Sequence, residues 1–372
     1  MKPMQRFDVC VRGAGIVGQC LALALARLGL NVALEGERQA TGPDVRAFAL
    51  NAASIALLER LKVWDALPPH AATPVYEMHV EGDAAGAGID FSAWQQRVGE
   101  LAWIVDAAVL ERELAAALRF APHVSGLAPG ASAQAELTAL CEGKASATRQ
   151  ALGVAVESQA YGHRAIATRL VAERAHQNLA RQWFRAPDVL ALLPLDTPEP
   201  SRSYALVWSL PEAQAQSLLA SSERAFELAL LDATAATCGA LTLAAARASW
   251  PLMQAQAQAW CGPGWVLLGD AAHVVHPLAG QGLNLGLADV AALCRVLAER
   301  EAWRALGDEK LLRRYARERA APTWAMGRVT DGLLQLFARP EPGVRELRNR
   351  GLSLVNHLTP LKRWLTSRAL GA

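Results

Sequence analysis

Gly13-Ala-Gly15-Ile-Val-Gly18, close to the N-terminal end of the chain, is the stretch that most clearly predicts a local structure. An apolar run at residues 8–11 precedes these glycines, residues 19–28 have the continuous apolar character of a buried helix, and residues 31–34 are apolar again. This order predicts a βαβ unit. The first glycine permits the tight turn, the second lets a pyrophosphate approach the backbone, and the third lets helix and strand pack closely.

Glu35 ends the second predicted strand, where a carboxylate can accept hydrogen bonds from an adenosine ribose. The N-terminus of the predicted helix adds free N–H groups and partial positive charge for the phosphates. Strand, helix, second strand and terminal acid together favour a dinucleotide over the alternative, a glycine-rich turn followed by a surface glutamate. The motif alone does not distinguish NAD from FAD.

The composition of the 372-residue chain indicates a globular protein with a large core. It is 52% hydrophobic and 19% charged with a net charge of +2, and its basic residues are scattered, which argues against intrinsic disorder and against binding of nucleic acid. Six dispersed cysteines lack the spacing of a zinc site and favour a reducing compartment. The uncharged stretch 248–269 contains prolines and glycines, which exclude a membrane helix. We expect a cytoplasmic protein.

A second glycine-rich stretch follows the apolar run 265–268 and leads into a predicted helix at 283–301. It reads Gly269-Asp270-Ala-Ala-His273-Val-Val-His276-Pro277-Leu-Ala-Gly280-Gln-Gly282-Leu-Asn284-Leu-Gly286. We predict a strand–loop–helix unit whose acid binds a polyol and whose helix start faces an electron-rich group. The two histidines have no third ligand nearby, so a metal site is disfavoured. A hydrogen-bonded loop histidine is favoured over a catalytic acid or base, and the catalytic residues stay unassigned.

These motifs, with Asp44-Val-Arg46-Ala-Phe-Ala-Leu-Asn51, resemble the flavoprotein aromatic hydroxylases (group A monooxygenases), most closely the ubiquinone-biosynthesis hydroxylases of the UbiH/COQ6 type. The resemblance covers most of the chain. It implies an α/β fold, a FAD-binding Rossmann-like (GR2-type) domain with an inserted β-sheet substrate domain and C-terminal helices. The implied segments are FAD-binding parts at 1–72, 101–160 and 256–310, substrate-domain parts at 73–100 and 161–255, and C-terminal helices at 311–372.

The resemblance also implies the residues that bind FAD. The first motif would hold the pyrophosphate, Glu35 the adenosine ribose and Asp270 the ribityl or phosphate region, while Arg46 would lie along the cofactor. Pro277 would lie beside the flavin ring, with the backbone at 280–284 facing its pyrimidine edge. The implied FAD-binding residues are Gly13, Ala14, Gly15, Ile16, Val17, Gly18, Glu35, Arg46, Glu142, Asp270, Pro277, Gly280, Gly282, Leu283 and Asn284.

The chain departs from this family at three places near the cofactor. Glu142, in Cys141-Glu142-Gly143-Lys-Ala-Ser146-Ala-Thr-Arg149, stands where the family has Asp. Residues 120–142 are short beside the family, so a hairpin there is trimmed or lost. Ala107 and Ala108 replace groups that are often polar or basic. These changes favour weaker FAD binding.

The resemblance implies that NAD(P)H, bound transiently, reduces FAD. O2 then adds at C4a as a hydroperoxide whose distal oxygen hydroxylates the ring of a polyprenylated phenol. That phenol would lie between the flavin and the inserted sheet, near Trp208 and Trp250. Two other functions stay open, hydroxylation of a soluble aromatic compound and a non-catalytic scaffold of the quinone pathway.

Residues 345–368 combine apolar and basic side chains. This pattern suits peripheral contact with the inner face of the cytoplasmic membrane, and suits docking on the protein's own core better. Association with other quinone-biosynthesis proteins also stays open.

Overall fold

The computed structural model describes residues 6–36, 44–82, 88–128, 133–275 and 281–338. The strands in these ranges are β1 Arg6–Arg12, β2 Val32–Glu35, β3 Ala47–Leu50, β4 Ala72–Val75, β5 Glu77–Glu81, β6 Gly88–Ser92, β7 Ala102–Asp106, β8 Val124–Leu127, β9 Gln134–Leu140, β10 Val156–Ala172, β11 Leu179–Arg185, β12 Asp188–Leu195, β13 Ser203–Pro211, β14 Leu241–Leu243, β15 Ala248–Ala257, β16 Cys261–Gly262, β17 Trp265–Leu267 and β18 His273–Val274.

The α-helices in the same ranges are α1 Ile16–Arg27, α2 Ala52–Arg60, α3 Ala93–Gln96, α4 Ala107–Arg119, α5 Ala147–Ala151, α6 Glu212–Ala220, α7 Glu223–Ala233, α8 Gln281–Ala298 and α9 Glu309–Ala338. No helix within the described ranges is both long and apolar enough to cross a membrane.

A six-stranded sheet in the order β16-β17-β9-β1-β2-β8 supports the first motif. Apart from the antiparallel β16, its strands pair in parallel. Val9 and Val11 are fully buried in the main core, to which α1, α4, α8 and α9 also contribute, whereas Cys10 belongs to a separate small cluster with Phe7 and Ala33. The alternation along β1 therefore has apolar residues on both faces, as expected for a parallel strand covered on both sides.

The region predicted as a loop or weak hairpin, residues 122–135, contains a strand of this sheet. β8 pairs in parallel with β2 at the sheet edge, and six residues separate the end of β8 from the start of β9. The shortening of this segment relative to the family stays a prediction.

A second, larger sheet has the order β18-β15-β10-β13-β12-β11-β5-β6, with β14 also paired to β10. Helices α6 and α7 cover one of its faces, where Phe226 and Leu230 of α7 share a core with Trp208 of β13. The sequence predicted one helical stretch at 212–238, but Ser222 accepts a hydrogen bond from the N–H of Ala225 and caps a separate helix.

The 17-residue β10 was not predicted. Its register on β15 shifts between Ala160 and Arg164, and Gly162 has a φ of +69°, so the alternation is interrupted where the strand bulges. A third sheet, β3-β7-β4, was also not predicted. The boundaries of the six predicted segments stay a prediction.

Candidate cofactor and active site

The space around each residue explains why the turn after β1 contains three glycines. A Cβ on Gly13, whose φ is +107°, would lie 2.3 Å from the carbonyl oxygen of Cys141, and a Cβ on Gly18 would lie 1.8 Å from the carbonyl oxygen of Gly13. At Gly15 a Cβ would meet nothing within 4 Å. The outer two glycines are thus required by packing, and the middle one borders open space in front of α1.

The start of α1 presents unpaired backbone N–H groups to that space. Gly15 is the N-cap and provides no side chain to accept from them. Ile16 is buried in the main core, and Val17 fills the gap between Gly269 and Gly286. Gln19 donates from Nε2 to the carbonyl oxygen of Ala14 at 2.8 Å. Residues 14–18 therefore offer backbone, open space and the positive end of a helix, which suits a phosphate group.

Glu35 lies at the end of β2, directly beside Arg12 in the parallel register. The carboxylate is largely buried, and its Oε2 lies 3.0 Å from Nε of Arg12. The acid predicted to bind a ribose is therefore already in contact with a cation. Sequence reasoning passed over Arg12, although a cation ending an otherwise apolar strand next to the glycine turn is a visible signal.

Asp270, in the second glycine-rich stretch, is exposed but closely surrounded by protein atoms. The surrounding walls desolvate its carboxyl and raise its pKa above the ordinary value, opposed by His273, Lys144 and Arg46. Among the described residues no group donates a hydrogen bond to this carboxylate. Asp270 is therefore an available acceptor close to two permanent cations.

Arg46 is held by acids of its own neighbourhood. Its Nε and Nη2 bond both oxygens of Asp44, at 2.9 and 2.7 Å, and Nη2 lies 3.3 Å from Glu111. The buried Arg169 of β10 donates to the carbonyl oxygen of Arg46 at 2.6 Å and to Asp106 at 2.9 Å. Arg169 thus ties the large sheet to the cofactor side of the fold.

Both the oxygen and the nitrogen of the Asn284 amide are hydrogen-bonded within the protein. Oδ1 accepts from the N–H of Asn51 and from Oγ of Ser54, at 3.0 and 2.7 Å, and Nδ2 donates to the carbonyl oxygen of Ala49 at 2.7 Å. The side chain therefore positions α8 against the β3–α2 corner.

The structure describes only some of the other residues in the second glycine-rich stretch. A Cβ on Gly282 would meet nothing within 4 Å, and Leu283 packs on the main core. Pro277, Gly280 and His276 lie outside the described residues. Their predicted roles beside the flavin stay predictions.

Glu142 turns its carboxylate into its own loop. It accepts from Oγ of Ser146, and from the backbone N–H and Oγ1 of Thr148 at 3.1 and 2.7 Å. Arg149 donates to the carbonyl oxygen of Ala271 at 2.7 Å, so this loop braces the second motif. In this conformation the acceptors of Glu142 are occupied, and its predicted contact with FAD stays a prediction.

His273 belongs to a buried charged network that also holds the second motif. Its Nε2 lies 2.7 Å from Asp289, which accepts from the backbone N–H of Gly269 at 3.0 Å and from Nε of Arg319 at 2.7 Å. Trp260 stacks on the imidazole. The geometry agrees with a hydrogen-bonded structural histidine. Asp289 and Arg319 were not predicted, although an acid inside the apolar run of α8 signals a buried partner.

The face of the large sheet opposite Trp208, called the open face below, is open only in part. Ala180, Ala205 and Leu193 on this face pack against the third sheet, whereas Val207 and Ala191 are half-buried. The indole of Trp208 is 3% exposed and packs against Phe226 under α6 and α7, so Trp208 itself faces the helices. The expectation that apolar residues from the stretches around Trp208 and Trp250 line the substrate pocket stays a prediction.

Trp250 pairs with Ala165 in the ladder, one residue out of phase with the Trp208–Ile166 pair, and therefore points to the opposite face. A row of side chains crosses that face, namely Ala248, Ala167, Val207, Ala191 and Gln182.

Comparison with known proteins assigns the family. The model of the FAD binding domain matches residues 6–125 and 120–330. The 3-demethoxyubiquinol 3-hydroxylase of Escherichia coli is 31% identical, over 99% of both chains, and the ubiquinone hydroxylase UbiL of Rhodospirillum rubrum is 29% identical, over 98% of this chain and 89% of the relative.

Solved structures agree on the fold. PqsL of Pseudomonas aeruginosa, a probable FAD-dependent monooxygenase, superposes with a TM-score of 0.77 at 22% identity, covering 94% of this chain and 100% of the other. The p-nitrophenol 4-monooxygenase PnpA of Pseudomonas putida superposes with a TM-score of 0.79 at 17% identity, covering 100% and 99%. With its open glycine turn and its matched domain, the chain belongs to the family of FAD-dependent monooxygenases that carry this FAD-binding domain.

Proposed function

We propose that this chain hydroxylates the ring of a polyprenylated phenol in ubiquinone biosynthesis, using bound FAD, NAD(P)H as a transient electron donor, and O2. The full-length similarity to two ubiquinone-pathway hydroxylases supports the substrate class. The observation that carries the proposal is the open space at Gly15, in front of an uncapped helix start.

The described residues fit FAD. The N–H groups at the start of α1 would bind the pyrophosphate, because a phosphate supplies the acceptors that this helix end lacks. Asp270, which has no hydrogen-bond donor among the described residues, would accept from the ribityl chain. Glu35 would face the adenosine ribose.

FAD supplies the redox chemistry, accepting hydride equivalents from NAD(P)H and activating O2. The protein supplies position and electrostatics. The start of α8, at Gly282 and Leu283, would place backbone dipoles where negative charge develops on the flavin. The network of His273, Asp289 and Arg319 would hold the loop that carries Asp270.

The open face of the large sheet is the proposed ceiling of the substrate site. Val207, Ala191 and Gln182 are half-buried in the middle of a sheet whose other face is covered by helices. Small apolar side chains leave room for an aromatic ring and exclude water from it. The base that would deprotonate the phenol stays unassigned.

A polyprenyl substrate needs a route from the membrane, for which residues 345–368 are the proposed contact. These residues lie outside the described ranges, and docking on the protein's own core is the alternative. Flotation with vesicles of anionic lipid, comparing the full chain with a chain ending at residue 338, distinguishes the two. Loss of flotation on truncation supports membrane contact, and equal flotation of the two chains rejects it.

The FAD site is tested by a pair of glycine variants. In Gly15→Ala the new methyl group meets no protein atom within 4 Å and would occupy the space proposed for the pyrophosphate. The matched control Gly99→Ala is also open and exposed. We expect both variants to keep the wild-type melting temperature before FAD is added, and only Gly15→Ala to lose flavin absorbance after FAD loading and desalting. Full retention of flavin by Gly15→Ala would contradict the proposed site.

The reaction is tested by lipid mass spectrometry in a strain that lacks the gene. A prenylated ring one oxygen short should accumulate, and a plasmid copy of the wild type or of Gly99→Ala should clear it, whereas Gly15→Ala should not. Clearance by Gly15→Ala would favour the scaffold. An unchanged profile, with small phenols stimulating NAD(P)H oxidation, would favour a hydroxylase of soluble aromatic compounds.

A further inference from the structure

Arg12 lies at the carboxyl edge of the six-stranded sheet, between the strand that ends in Glu35 and the loop that follows β9. Its Nε lies 3.0 Å from Oε2 of Glu35, and its Nη1 donates to Oγ1 of Thr148 at 3.0 Å. Thr148 is in turn bonded through its N–H and hydroxyl to Glu142. A continuous polar chain, Glu35–Arg12–Thr148–Glu142, therefore crosses the ends of β2, β1 and β9.

These four linked side chains limit how the carboxyl edge of the six-stranded sheet can bind an adenosine. Oε2 of Glu35 is buried against the guanidinium, so that oxygen is not accessible to a ribose hydroxyl. The acceptors of Glu142 are taken up by its own loop. Two acids near a pyrophosphate repel it, and Arg12 is positioned to compensate one of them.

The third nitrogen of Arg12 has no partner within the part of the chain that the structure describes. Nη2 makes no hydrogen bond to any described residue, and the side chain keeps 34% of its surface exposed. The hydrogen bond from Nη1 to Thr148 and the ion-pair contact of Nε with Glu35 restrict the orientation of the planar guanidinium and leave Nη2 as a donor for a ligand. A fixed, permanently charged donor at the end of β1 is next to Gly13, the first residue of the phosphate turn.

We propose that Arg12 contacts the adenosine-diphosphate half of FAD directly, and that the Arg12–Glu35 pair, rather than Glu35 alone, recognises this half of the cofactor. The proposal rests on the proposed FAD site and not on the identity of the hydroxylated substrate. An ordinary exposed ion pair would not act in this way, since it contributes little and binds nothing. Here one partner is buried and the other keeps a free donor.

The test is FAD affinity, measured from the quenching of FAD fluorescence on titration with apoprotein. We expect Arg12→Gln to weaken FAD binding by about 10-fold to 100-fold, the usual range for a lost hydrogen bond to a charged group. The control Arg119→Gln removes one exposed positive charge at the end of α4 and should change the affinity by less than about twofold. Unchanged or tighter FAD binding by Arg12→Gln overturns the proposal.

Direct contact is separated from positioning by combining Arg12→Gln with Glu35→Gln. If Arg12 touches the cofactor, Arg12→Gln still weakens FAD binding by at least about fivefold in the Glu35→Gln background. If the effect disappears there, Arg12 acts only through Glu35 and the proposal fails.

Should Arg12→Gln not fold, Arg12→Lys serves instead. A lysine keeps the charge beside Glu35 but has no planar fork, so it should still weaken FAD binding, and wild-type affinity would overturn the proposal. Absence of FAD binding by the wild type would instead refute the FAD site itself.

Discussion

Replacing Asp289 by Asn should destabilise the protein strongly, because it breaks a buried charged network. Asp289 is fully buried and accepts from three donors, Nε2 of His273, Nε of Arg319 and the backbone N–H of Gly269, at 2.7, 2.7 and 3.0 Å. An amide presents an NH2 group to one of these donors and leaves the Arg319 guanidinium without a counter-charge.

The expected cost follows from the burial of the network. Removing one partner of a buried ion pair typically costs about 3–5 kcal/mol, because the remaining charge stays buried without compensation. We therefore expect the free energy of unfolding of Asp289→Asn to fall by about 3–5 kcal/mol in urea denaturation near neutral pH. The control Asp65→Asn breaks an exposed contact with Lys62 at 3.9 Å and should cost less than about 1 kcal/mol.

The pH dependence has a definite sign. Burial raises the pKa of Asp289, but His273 and Arg319 outweigh it and hold the pKa below its ordinary value. A carboxyl with a depressed pKa in the folded state stabilises the protein above its unfolded pKa of about 4, and this contribution disappears as the pH falls through the folded pKa. The difference between wild type and Asp289→Asn should therefore shrink below about pH 4. A cost under about 1 kcal/mol near neutral pH would refute the reasoning.

Two further outcomes follow from the large sheet. Trp208→Ala, in the core under α6 and α7, should lower the free energy of unfolding by about 3–5 kcal/mol, whereas Trp250→Ala, on the open face, should leave stability within about 1 kcal/mol and raise KM for the phenol; equal costs in chemical denaturation would contradict this assignment of faces. Burial is the main cause that raises the pKa of Asp188 to about 6, so the folded state disfavours its charged form. The free energy of unfolding of the wild type should therefore decrease as the pH rises from about 4 to about 6. Asp188→Asn should abolish that decline in urea titrations at several pH values, and an unaltered pH profile would show that the carboxyl does not titrate as inferred.

Local sequence was sufficient for the cofactor turn. The spacing of Gly13, Gly15 and Gly18 between two apolar runs predicted the βαβ unit, because each glycine meets a steric requirement within a single turn. The second motif was located in the same way, since an apolar strand, a glycine loop and a helix follow one another along the chain. Residues 283–301 were predicted as helical and α8 occupies Gln281–Ala298.

Long-range pairing could not be predicted from local pattern. β10 contains a bulge that interrupts its alternation, and β8 is too short and too rich in small residues to be recognised without its neighbour β2. The sequence pattern likewise could not show which face of β13 is covered by α6 and α7.

Residue types at fixed short spacings were enough to predict the glycine turn after β1 as a dinucleotide site and to indicate the family and its class of chemistry. Only the tertiary structure decided which polar side chains remain available to a ligand. Asn284 and Glu142 are occupied within the protein, while Asp270 and Nη2 of Arg12 accept or donate no hydrogen bond among the described residues. Asn284 and its partner Ala49 are 235 residues apart in the sequence. Such hydrogen bonds form only when distant elements pack together, so local sequence cannot predict them.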